Sequence, residues 1–270
     1  MSGPQAAVVI PAELRSFLRA GRRAAVLAVG CDGVSSLGHV VESLGVPLTE
    51  VGGLLVNGEP AAPAHRPVGG DLVEVLPVAR PQRLAAARFV LDVHLGTVAR
   101  RLRLVGLDCA YANDRDDDAL IAQASAERRV LLTQDRGLLR RRSLWFGAYV
   151  RGARPDEQFA DVLDRFAPPL APWTRCMACN GPLVPVSKAD VDAQLLPGTR
   201  RSYEVFARCA ECSRVYWHGA HSGHLEEIVQ TAMQAAAAGR APHSALTGDR
   251  TTPEPPLRAA ARGRSRSPRP

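Results

Sequence analysis

The chain has 270 residues, 46% of them hydrophobic, and a formal net charge of +7. That length admits two or three domains and at least one substantial core, and no apolar run approaches the roughly 20 residues that a membrane helix needs. The N-terminal MSGPQAAVVIPAELRSFL lacks the basic-then-apolar layout of a signal peptide, so the expectation is a cytoplasmic protein with no membrane partner.

The charge is unevenly spread. Residues 240–270 hold seven arginines against Asp249 and Glu254, a net +5, which leaves only +2 for the other 239 residues. Lys188 is the only lysine among the 34 basic residues. Arginine suits bidentate phosphate contacts, although such a bias equally follows from genomic composition. Six cysteines in a cytosolic chain point to metal or redox chemistry rather than a disulfide framework. Cys31 and Cys109 stand alone and read as small apolar residues.

Residues 5–79 form the first predicted domain. AAVVIPAELRSFL gives a strand and a turn, AAVLAV a second strand, and SLGHVVESLGV places Leu37, Val40, Val41, Leu44 and Val46 close to helical spacing. GGLLVNGEPA supplies a short strand and an Asn57-Gly58 hairpin turn. DLVEVLPV alternates as a final strand. The order β-β-α-β-β resembles the ubiquitin-like β-grasp, and GGDLVEVLPVA is similar to the closing strand of small sulfur carriers. Those carriers end in a free Gly-Gly, whereas here the chain continues, which argues against a sulfur-transfer accessory. A scaffolding or RNA-contacting role, or a protein partner, remains for this domain.

Residues 86–166 form the second. ARFVLD, DCAYA, RVLLTQD and WFGAYV read as strands, with helices over HLGTVARRLRLVG, DALIAQASAERR, RGLLRRR and DEQFADVLDRF between and after them. Strands alternating with helices predict βαβ units and a parallel sheet, so the fold class is α/β. In the first of these helices Leu95, Val98, Leu102 and Val105 share one face, with Arg100, Arg101 and Arg103 mostly off it. A Pro-rich joint, APPLAPW, leads to a cysteine module at 173–225. HLEEIVQTAMQAAAA then reads as a helix, and residues 240–270 as a disordered basic tail.

Zinc takes about four deprotonated soft ligands in a tetrahedron, and two CxxC knuckles can supply them. Cys176-Met-Ala-Cys179 and Cys209-Ala-Glu-Cys212 are separated by 29 residues, room for the hairpin loops of a zinc ribbon. Four thiolates would close the coordination sphere, so this zinc is expected to be structural. His218, His221 and His224 lie close behind and read either as replacement ligands or as polar, RNA-facing surface. Tyr216 and Trp217 offer stacking faces for unpaired bases or serve as core.

Acidic residues recur at the carboxyl ends of the predicted parallel strands, where open α/β sheets build their ligand sites. Asp92 ends FVLD, Asp135 ends VLLTQD, and Asp114, Asp116, Asp117 and Asp118 fill the loop after DCAYA. Converging carboxylates repel one another unless cations intervene, and Mg²⁺ or Mn²⁺ satisfies them through oxygen ligands. Each acid also has a plain use: Asp116 or Asp117 as a helix cap, Asp135 as the start of the RGLLRRR turn. A carboxylate closing a buried strand, as Asp92 does, needs a partner.

FVLDVHLGTVARRLRLVGLDCAYANDRDDDALIAQASAERRVLLTQDRGLL resembles the PIN-like Mut-seven C-terminal RNase family. TRCMACNGPLVPVSKADV with FARCAECSRVYWHGAHSGHL resembles that family's attached zinc ribbon, and a β-grasp domain in front is found in bacterial members. The resemblance spans residues 5–225. It implies a PIN-like nuclease with Asp92, Asp116, Asp117 and Asp135 at the family's acidic positions. The reading built on these residues makes Asp92, Asp117 and Asp135 the Mg/Mn ligands, with Asp116 or Asp117 completing the site or orienting water. Asp118 is an additional acid with no assigned role. Arg136, Arg140, Arg141 and Arg142 would hold the backbone of a single-stranded RNA, or form a solvated helix face. The rival expectation is a non-catalytic RNA-binding adaptor that uses the ribbon and the basic tail.

Overall fold

The computed structural model describes residues 3–217 and 223–238. The basic tail, His218 and His221 lie outside the described residues. In chain order the strands are β1 (Gln5–Val9), β2 (Val26–Gly30), β3 (Val51–Val56), β4 (Glu59–Pro60), β5 (Leu72–Pro77), β6 (Arg88–Leu91), β7 (Asp108–Ala110), β8 (Val130–Thr133), β9 (Gly147–Tyr149), β10 (Leu183–Val186), β11 (Phe206–Cys209) and β12 (Val215–Trp217). The α-helices are α1 (Leu37–Leu44), α2 (Gly96–Leu104), α3 (Asp117–Ala126), α4 (Arg136–Leu139), α5 (Pro155–Phe166), α6 (Lys188–Val191), α7 (Pro197–Ser202) and α8 (Gly223–Ala238). None of them is long and apolar enough to cross a membrane. The described residues divide into two compact units, one made of 3–82 and 117–149, the other of 83–116, 150–217 and 223–238.

The first unit contains a five-stranded sheet in the order β2-β1-β5-β3-β4, antiparallel except for the central β1–β5 pair. Strand alternation turns Val8 of β1 and Val73 and Val75 of β5 inward. Helix α1 meets them with Leu37, Val40, Val41 and Leu44, the i, i+3, i+4, i+7 stripe of an amphipathic helix. Ser36 Oγ caps α1 by accepting from the His39 N–H. The Asn57-Gly58 turn joins β3 to β4 with both φ angles positive, 55° and 86°, as a two-residue hairpin of right-handed twist requires. The β-grasp order read from the sequence is therefore present.

The same unit takes in α3, β8, α4 and β9. Strands β8 and β9 run parallel, with Leu131 opposite Gly147 and Thr133 opposite Tyr149. All four residues of β8 are buried, so this strand is covered on both faces, as parallel strands are. A carboxylate also enters this unit's interior. Glu50, 2% exposed, accepts from the Tyr149 N–H at 2.8 Å.

In the second unit β6 and β7 pair in parallel, with Arg88 opposite Asp108 and Val90 opposite Ala110, and α2 makes the connection. Helix α2 packs on α5 and α8, and Phe89 of β6 meets Phe166 of α5 with ring centroids 5.4 Å apart. The cysteine module follows as an antiparallel sheet in the order β10-β11-β12. The interval between its two CxxC pairs differs from the sequence reading. Instead of plain hairpin loops it holds α6, a 3₁₀ turn and α7, and Val191 and Leu195 from this insert pack on Phe206 of β11.

Candidate metal centre

The two CxxC segments fold into matching turns. In the first, the Cys176 N–H donates to the Gly181 carbonyl and the Asn180 N–H to the Cys176 carbonyl. In the second, the Cys209 N–H donates to the Arg214 carbonyl and the Ser213 N–H to the Cys209 carbonyl. Asn180 and Ser213, each directly after a second cysteine, both have positive φ, 75° and 59°. The Cys179 and Cys212 N–H groups point at the Sγ atoms of Cys176 and Cys209, 3.5 Å in each case. Sulfur is thus surrounded by donors that favour its anion. Gly181 allows the turns to approach, since a Cβ there would lie 3.0 Å from Cys209 Sγ and closer still to the Glu211 side chain.

All four sulfur atoms lie within 4.8 Å of one another. Cys176 and Cys212 are 3.7 Å apart, Cys179 and Cys209 3.4 Å. A tetrahedral thiolate site with bonds of about 2.3 Å has edges of about 3.8 Å, so the donor set fits a soft ion such as Zn²⁺. Burial opposes ionisation of Cys176, yet the Tyr216 hydroxyl, 3.0 Å from its sulfur, and the Cys179 and Ala178 N–H groups bring it down to about 6. Burial pushes Cys179 up to about 12, and the three neighbouring thiols push the same way. Burial and the Cys176 sulfur also hold the Tyr216 phenol protonated above its usual value. A cation at the centre would reverse this logic and deprotonate the thiols.

The knuckle is fastened to its own unit by residues to which the sequence reading gave no such role. Arg103 of α2 is 3% exposed. Its Nη1 donates to the Met177 and Ala178 carbonyls, 3.1 and 2.8 Å, inside the first CxxC, and its Nε donates to the Cys109 carbonyl at 2.8 Å. The Asn180 side chain accepts from the Cys109 N–H at 2.9 Å and donates to Asp108 at 2.8 Å. Arg88 and Arg175 flank that Asp108 carboxylate at 3.4 and 3.8 Å. Both backbone groups of Cys109 are therefore held by side chains bound to the knuckle. Tyr216, read either as a stacking face or as core, turns its hydroxyl to Cys176. Trp217 stays half exposed beside Phe206, 6.4 Å between centroids. His224 is exposed, with Nδ1 3.7 Å from Glu227.

The predicted acidic residues each have a defined local setting. Asp92 follows β6, whose Phe89, Val90 and Leu91 are fully buried, and is itself 7% exposed. Its carbonyl accepts from the Leu95 N–H as the chain turns toward α2. Directly after β7, the Tyr111 hydroxyl donates to the Val93 carbonyl at 2.9 Å and so braces the backbone next to Asp92. Asp114 and Asp116 lie in the exposed loop before α3, and Asp117 and Asp118 in its first turn. Asp118 pairs with Arg141. Asp135 is exposed at the start of α4, where Oδ1 accepts from the Gly137 N–H at 2.6 Å and the Leu138 N–H at 3.3 Å. The turn-starting role read for Asp135 is therefore real. Of the four arginines assigned to RNA, Arg136 donates to the Phe17 and Ser16 carbonyls and Arg141 is the partner of Asp118, while Arg142 is exposed.

Residues 87–229, more than half of the chain, match the Mut7-C RNAse domain family, and residues 3–83 match the Mut7-C ubiquitin family. No curated protein and no solved structure gives a significant match.

Proposed function

Since the chain belongs to the Mut7-C RNase family, we propose that it is a metal-dependent ribonuclease that hydrolyses phosphodiester bonds of single-stranded RNA in the cytoplasm. The observation that carries the reading is Asp92. A carboxylate sits almost out of water at the carboxyl end of a parallel strand whose Phe89, Val90 and Leu91 are buried, the place where α/β sheets put ligand chemistry.

In this reading Asp92, Asp117 and Asp135 hold Mg²⁺ or Mn²⁺, whose all-oxygen preference suits carboxylates. Once bound, such an ion lowers the pKa of a water and stabilises charge building on the phosphate. The chain's own residues do the positioning. Capping through Oδ1 fixes the Asp135 rotamer and leaves Oδ2 for a ligand. Asp116 and Asp117 stand at the N-terminal end of α3, and one of them orients the attacking water. Zinc in the four-cysteine centre is structural, because four thiolates leave no place for water. The cysteine module, with Trp217 on its surface, and the basic tail add RNA affinity that falls with salt.

A non-catalytic RNA-binding adaptor is the second reading. It is favoured by the structural uses already found for two acids, the Asp135 cap and the Asp118–Arg141 pair. The two separate when purified protein is incubated with defined single-stranded RNAs, with and without Mn²⁺, and the ends are mapped. Shortened products only with Mn²⁺ support the nuclease. Equal RNA binding in EDTA-treated, zinc-retaining protein, with no shortening under any condition, supports the adaptor.

A further inference from the structure

We propose that the N-terminal five-stranded domain is a clamp for the Asp135 turn, and that Arg136 is the positioning residue through which it acts. The inference rests on the reading of Asp135 as a metal ligand and gives the β-grasp domain a role in that same site.

Helix α4 is one turn of four residues, far too short to persist without outside support. Its cap is the Asp135 side chain, so any loosening of the turn releases that carboxylate. The next residue supplies the support. Arg136 reaches 119 and 120 residues back in sequence, and its two terminal nitrogens donate to the Phe17 and Ser16 carbonyls, 3.0 Å each. The guanidinium also lies over the Phe17 ring, 5.2 Å from its centroid. A planar fork facing two consecutive carbonyls with an aromatic face below is an arrangement that arginine fills and lysine does not.

The receiving surface is itself firm. Ser16 and Phe17 close the 3₁₀ turn Ala12–Phe17, where carbonyls lack helical partners and carry the negative end of the turn. Phe17 is buried in the β-grasp core and meets the Tyr149 ring edge-on at 4.9 Å. Tyr149, the last residue of β9, donates its N–H to the buried Glu50 of the same domain. The domain thus grips both elements that follow β8, first the turn bearing Asp135 and then the neighbouring parallel strand. An arginine committed to two protein carbonyls is not available as a phosphate contact, so its contribution is to geometry and not to RNA affinity.

The test uses the full chain and compares Arg136→Ala, Arg136→Lys and Asp135→Asn. Amide hydrogen exchange at Gly137 and Leu138 reads the cap directly, and steady-state cleavage of a single-stranded RNA at saturating Mn²⁺ separates kcat from KM. Arg136→Ala is expected to speed exchange at both amides about tenfold or more. It is expected to lower kcat roughly 10- to 100-fold, the scale of a misplacement near 1 Å, with KM within about twofold of the parent. Arg136→Lys should recover part of both effects, and if the alanine variant does not fold, its intermediate exchange and kcat carry the test. Unchanged exchange at Gly137 and Leu138, or a raised KM with unchanged kcat and a shallower salt dependence, overturns the clamp. Full cleavage by Asp135→Asn instead removes Asp135 from the site, an outcome that the exchange data are independent of.

Discussion

Arg103 donates from deep inside its unit to three carbonyls, two of them within the first CxxC turn. Alanine at this position leaves those acceptors unpaired. Arg103→Ala is expected to cost about 3 kcal/mol of stability, the scale of charged hydrogen bonds lost from a buried site, measured by urea unfolding of the metal-loaded protein. Periodicity could not have shown this. It sorted Arg103 with the α2 arginines lying mostly off the apolar face, and two of the three carbonyls that draw it inward lie more than 70 residues away. Asp108 and Asn180 were hidden for the same reason, although an asparagine directly after a CxxC, where φ turns positive, is a signal that could have been read. Asp32 offers a different residue-level check. The Ser35 hydroxyl and the Ser35 and Val34 N–H groups hold its carboxyl down to about 2, against 3.8 ordinarily. A depressed folded value contributes stability above pH 3.8 that is lost as pH falls toward 2. Asp32→Asn should therefore be destabilised at neutral pH, and the two stability curves should converge on the acid side. Parallel curves down to pH 2 would contradict the assignment.

At the scale of elements, chemistry that is local in sequence was legible. The two CxxC turns could be read because each is complete within six residues, and the Asn57-Gly58 hairpin and the α1 stripe were legible for the same reason. The 29-residue interval between the knuckles was not, because α6 and α7 are short and Val191, Leu195 and Tyr203, which pack with Phe206 of the sheet, are too widely spaced to show a pattern. Zinc loading gives the test at this scale. Cys176→Ser is expected to lower bound zinc well below one per chain, read by metal analysis after dialysis, and to raise amide exchange in β10–β12. Retention of one zinc per chain would count against a four-cysteine site. Chelation of the parent protein should loosen the same strands, since ligand binding is coupled to the folding of such a small sheet.

For the whole molecule, the sequence made visible the family and the order of its parts: a β-grasp region, an α/β region with acids at strand ends, and a cysteine module. How residues 117–149 would join the compact unit of the β-grasp sheet was not legible, because the ties run through backbone carbonyls of Ser16 and Phe17 and a buried Glu50 that carry no motif. The role of the acids is decided by chemistry. The most direct measurement is the rate of Mn²⁺-dependent cleavage of a defined single-stranded RNA by the full chain, beside Asp92→Asn and Asp135→Asn, with RNA affinity and fold checked in the same preparations. The expectation is that both variants bind RNA and remain folded while cleavage falls at least about 100-fold. Undiminished cleavage by the folded variants, or none by the parent chain with any divalent ion, would contradict it.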